Sequence, residues 1–80
     1  MTWSYELNGL TVSHELRRLP SGCCELRTTD FDGFARLERF DDEFDALRRQ
    51  MDLERTLIVR GWGLGGFTGH WVDASAVGDC

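Results

Sequence analysis

Asn8 and Gly9 stand between two stretches of alternating polarity, and no other feature restricts the fold of this chain so tightly. Asn-Gly is the strongest two-residue hairpin signal, because both positions of a type I′ turn need positive φ. Before it come Trp3, Tyr5 and Leu7, and after it Leu10, Val12 and His14, each separated from the next by a polar residue. A two-residue turn then pairs Leu7 with Leu10, Tyr5 with Val12 and Trp3 with His14. One face is apolar and aromatic, the other polar. A competing reading of "SHELRRL" as a short helix capped by Ser13 is weaker, since only Leu16 and Leu19 would face inward before Pro20.

The turn composition of "LPSG" leads into a third strand, "CCELRTT". Asp32-Gly33 is a second hairpin signal, and a two-residue turn there places Phe31 opposite Phe34 and Arg27 opposite Glu38. From Asp41 the period changes. Phe40, Phe44, Leu47 and Met51 recur at helical spacing, with Asp41 or Asp42 able to cap and Glu43 and Asp45 in the first turn. The consecutive Leu57, Ile58 and Val59 in "RTLIVRGW" predict a central strand covered on both faces. "FTGHWVD" supplies a last strand, and residues 74–80 have the small, polar composition of a flexible tail. The expected order is β, β, β, β, α, β, β in a single domain over residues 1–80. Its class is α+β: an antiparallel sheet of hairpins with one amphipathic helix packed on a face.

Gly61, Gly63 and Gly66 have the GxGxxG spacing of a dinucleotide fingerprint. That fingerprint works by aiming a following helix at a pyrophosphate inside a βαβ unit. The residues after Gly66 are too few and too β-favouring for a helix and a strand, and the acidic ribose partner would fall beyond Cys80. The expectation is a glycine-rich connection between strands, with Trp62 exposed within it and the other two tryptophans, Trp3 and Trp71, in the core. "DFDG" from Asp30 lacks the ligand pattern of a calcium loop. Cys23 and Cys24 point to opposite faces of a strand and so do not chelate one metal; neither His14, His70 nor Cys80 adds ligand spacing. No cofactor or metal is expected. An odd cysteine count gives no disulfide framework, which suits a reducing compartment. With no long apolar run and no signal-peptide pattern at "MTWSYELNG", the reading is a soluble, cytoplasmic protein that does not enter a membrane.

Charge is the remaining signal. The nine basic residues are all Arg, which excludes lysine Schiff-base and P-loop chemistry. The net charge is -5, opposing direct binding to nucleic acid or anionic lipid. All of it falls in one stretch. From Asp30 to Asp45 there are seven acids against two arginines, whereas the rest of the chain has seven of each. Asp30, Asp32, Asp41, Asp42, Glu43 and Asp45, with Trp62, are therefore the candidate partner-binding residues. Such a stretch can steer and hold a basic protein, including one whose surface takes nucleic acid. In size and charge the chain resembles phage-encoded inhibitors such as anti-CRISPR proteins, an analogy that rests on no motif. An antitoxin or immunity protein against a basic toxin would use the same acids. A small enzyme or ligand carrier would instead centre on His14, His70 and the Gly61 to Gly66 loop. An unpaired edge strand such as "FTGHWVD" could also form a homodimer.

Overall fold

The computed structural model describes residues 1–73. The strands are β1 (Thr2–Leu7), β2 (Leu10–Arg18), β3 (Cys24–Thr29) and β4 (Ala35–Phe40), then helix α1 (Glu43–Val59), and finally β5 (Gly63–Thr68) and β6 (Val72–Asp73). The architecture is α+β, with five antiparallel strands in the order β4-β3-β2-β1-β5 and the single helix packed on one face. The two-residue β6 pairs in parallel with Arg17 and Arg18, where β2 runs past the start of β1. The expected tail, 74–80, lies outside the described residues.

The first hairpin follows from its turn. Asn8 and Gly9 take φ of 51° and 80°, and Trp3, Tyr5 and Leu7 face His14, Val12 and Leu10. β2 extends through "SHELRR" as strand, so the short-helix alternative does not form.

The β3–β4 turn is one residue longer than expected. Gly33 N–H donates to Asp30 O, Asp30 N–H to Phe34 O, and only Gly33 has positive φ, 86°. This is a three-residue loop in which a type I turn ends on a left-handed glycine. Arg27 consequently pairs with Leu37 and not Glu38, and Phe31 lies in the loop, with Asp30 opposite Phe34. A one-residue shift exchanges the faces of a strand. It brings Phe40, Glu38 and Arg36 beside Cys24, Leu26 and Thr28 on the helix side. The β2–β3 turn repeats the design, with Leu19 and Cys23 closing around Pro20, Ser21 and Gly22.

The central strand expected at "TLIV" is instead the end of the helix, which has 17 residues. β-branched residues cost a helix only a few tenths of a kcal/mol each, at most about 0.7. Tertiary packing outweighs that here. Ala46, Gln50, Leu53 and Leu57 recur at i, i+4, i+7 and i+11 and, with Leu47, form the buried or half-buried stripe. Phe44 and Met51 point away from the sheet and are exposed, so the expected stripe through Phe40, Phe44, Leu47 and Met51 is rotated. Asp42 is the N-cap, its Oδ1 accepting from Asp45 N–H at 3.0 Å. At the other end Trp62 N–H donates to Leu57 O and Gly61 N–H to Ile58 O, with Gly61 at φ 94°. That Schellman closure stops the helix.

The first glycine of the GxGxxG spacing is thus a helix stop, and Gly63, Gly65 and Gly66 belong to β5 itself, not to a connection. The order around them is helix, glycine, strand, the reverse of a dinucleotide fold. Trp62 is buried and stacked against Phe31, with ring centroids 6.4 Å apart, which corrects its expected exposure. Trp3, Tyr5, Val12, Leu16, Cys24, Leu26, Ala46 and Trp62 form the core. Trp71 is half-buried at its margin, under the guanidinium of Arg18. The opposite sheet face is polar, and there Glu25 is held by Arg17 and Arg39.

Candidate functional site

The acidic residues occupy the β4 edge of the sheet. Asp30 and Asp32 sit in the loop before β4, and Asp41, Asp42, Glu43 and Asp45 at the junction between β4 and α1. They form two groups separated by the length of β4, six residues or about 20 Å, and not one cluster. Two of them have a structural task. Asp32 Oδ1 accepts from Phe34 N–H at 2.9 Å and shapes the loop, while Asp42 caps the helix. The remaining carboxylates of both groups are exposed.

Sequence reading missed what accompanies them. Phe31 and Phe34 are exposed beside Asp30 and Asp32, Leu37 is exposed in mid-strand, and Phe44 is 71% exposed among Asp41, Asp42, Glu43 and Asp45. The helical spacing of Phe44 from Leu47 and Met51 points to the helix core, yet Phe44 faces solvent. The deciding signal was available: Ala46, Gln50, Leu53 and Leu57 keep the same spacing and run to the Gly61 stop.

A second constellation lies between helix and sheet. Tyr5 Oη donates to Glu54 Oε2 at 2.7 Å, and Gln50 Nε2 donates to Tyr5 Oη at 2.8 Å. Gln50 Nε2 also approaches His14 Nδ1 at 3.4 Å. His14 is buried, and burial lowers its pKa against the opposing pull of Glu54 and Asp30, so the ring is neutral near pH 7. His70 is exposed, and no hydrogen bond joins the two histidines among those of the described residues. Burial pushes the Cys24 thiol up, with Glu43 adding to the effect, which keeps it protonated.

Cys23 is disulfide-bonded and Cys24 is a free thiol, whereas the odd cysteine count suggests no disulfide framework and a reducing compartment. The two adjacent sulfurs serve different places: Cys24 joins the core, while Cys23 packs with Leu19 at the β2–β3 turn. Among the described residues no three His, Cys, Asp or Glu side chains are gathered as a metal site requires. No helix there is long and apolar enough to cross a membrane. Comparison with protein families, with curated proteins and with solved structures gave no match to the chain.

Proposed function

We propose that the chain is a small, acidic, non-enzymatic protein-binding module whose β4 edge engages a basic surface of a partner, of the kind that otherwise takes nucleic acid. The observation that carries this reading is Phe44, 71% exposed at a helix start whose sequence neighbours Asp41, Asp42, Glu43 and Asp45 are exposed acids. Capping and solubility account for carboxylates at a helix start. They do not account for an aromatic ring held in water in the same segment. Large exposed apolar groups rimmed by charge are what binding hot spots present, with the rim giving steering and register. Phe34 beside Asp30 and Asp32 repeats the arrangement at the other end of β4, so a partner can be gripped at two points.

The test is affinity capture from lysate of the source cells, followed by mass spectrometry. Wild type is compared with Phe44→Ala and with the combined variant Asp41→Asn, Glu43→Gln, Asp45→Asn, which leaves the Asp42 cap in place. A basic protein retained by wild type, lost by both variants and displaced by added nucleic acid is the expected result. Equal retention by all three, or no retained protein, would leave these acids with capping and solubility alone.

A further inference from the structure

Between the C-terminal half of α1 and the β3–β4 hairpin lies a cavity of about 160 Å³. Two cross-strand rows make its floor. His14, Thr28 and Arg36 are successive partners across β2, β3 and β4. In the next row Asp30 pairs with Phe34, and Val12 also lines the cavity. Leu53, Thr56 and Leu57 of α1 form the roof. At roughly 30 Å³ per water the volume is that of about five waters, which limits an occupant to a compact small molecule.

The polar groups of the floor determine what that occupant is. Gln50 Nε2, which donates to Tyr5 Oη and Glu54 Oε2, also lies 3.4 Å from His14 Nδ1, and a ring that accepts there carries its proton on Nε2. His14 lines the cavity and Gln50 does not. Arg36 has no carboxylate within ion-pair distance among the described residues, and neither has Asp30 a cation. Arg36 and Asp30 are diagonal neighbours across β3 and β4, about 7 to 8 Å apart at the backbone. The site therefore offers one positive and one negative group without a protein counter-ion, both at its exposed rim and on neighbouring strands, for the carboxylate and the ammonium of one small molecule. Val12, Leu53 and Leu57 supply an apolar wall.

We propose that this cavity binds a small zwitterion of amino-acid type with a compact aliphatic body, its carboxylate on Arg36 and His14 Nε2–H and its ammonium on Asp30. The inference needs no protein partner and shares with the β4-edge reading only Asp30 and Phe34.

L-valine is the probe, titrated into the intact chain at millimolar concentrations and followed by two-dimensional NMR, with isobutyrate and isobutylamine as single-charge controls. Saturable shifts at the backbone amides of Thr28, Asp30, Arg36, Leu53 and Leu57 are expected, with each control binding more weakly. Arg36→Gln and Asp30→Asn, whose own spectra report folding, should each weaken L-valine by about tenfold or more, the scale of a charge-assisted hydrogen bond. No saturable shift with L-valine, isobutyrate binding as well as L-valine, or an unchanged affinity in folded Arg36→Gln would each overturn the proposal.

Discussion

Tyr5 Oη donates a 2.7 Å hydrogen bond to Glu54 Oε2, tying the second strand from one sheet edge to the fourth turn of the helix. Tyr5 is completely buried and also accepts from Gln50. Tyr5→Phe keeps the ring but leaves Gln50 Nε2 and Glu54 Oε2 with only their longer 3.3 Å bond to each other, and losing the two shorter bonds costs about 1 to 3 kcal/mol. Urea denaturation near neutral pH should show that loss as a lower midpoint with an unchanged slope. A change below about 0.5 kcal/mol would mean that water replaces the phenol without penalty.

Ionisation of the same phenol carries an alkaline signature. Burial, then the bond to Glu54, then its charge, raise the pKa of Tyr5 above its ordinary value. The unfolded chain gives up this proton near about pH 10 while the folded chain retains it. Stability from this group is therefore complete below that pH and falls as pH rises beyond it. Tyr5 is the single tyrosine, so tyrosinate absorbance reads it alone. The folded protein should show no tyrosinate signal until it unfolds.

His14 works in the opposite direction. Burial lowers its folded pKa below the unfolded value of about 6.5, so below that pH the unfolded chain binds the proton more readily. Its contribution to stability is full above about pH 6.5 and is lost as pH falls through and below that value. Denaturation midpoints compared at about pH 7.5 and pH 5 should fall more steeply in wild type than in His14→Gln. Parallel falls would assign the acid sensitivity to carboxylates instead.

How much of this was legible depends on how local each cause is. The Asn8-Gly9 hairpin, its three cross-strand pairs and the Asp42 cap follow from neighbours in sequence, and all are found. The β3–β4 register turned on whether Asp32-Gly33 is the whole turn or its end. Only the backbone conformation, with Gly33 alone left-handed, decides that. "TLIV" has strand propensity, but Leu53 and Leu57 continue a buried stripe that local propensity does not register. The acidic stretch was visible as composition. Its division between two ends of β4, and the exposure of Phe31, Phe34 and Phe44 beside it, required the fold.

The facing of α1 can be measured directly. Ala46 is fully buried against the sheet, whereas Met51 is exposed. Ala46→Leu should overpack the interface and cost about 1 to 3 kcal/mol. Met51→Ala should remain within about 0.5 kcal/mol of wild type. Reversed magnitudes in thermal denaturation would restore the stripe through Phe44 and Met51.

The sign of one substitution pair separates helix from strand at the end of α1. Thr56 and Val59 are exposed, Val59 at 82%, and Thr56 Oγ1 donates back to Asp52 O as a threonine in a helix does. Replacing an exposed β-branched residue by alanine within a helix gains up to about 0.7 kcal/mol, because the side chain no longer loses χ1 freedom against the preceding turn. The same replacement in a strand loses stability on a scale of about 1 kcal/mol. Thr56→Ala combined with Val59→Ala should accordingly raise the denaturation midpoint, with the terminal position of Val59 reducing its share. A lowered midpoint would mean that "TLIV" is held as a strand, and the Gly61 stop, the buried Leu53 and Leu57 stripe and the roof of the cavity would all have to be redrawn.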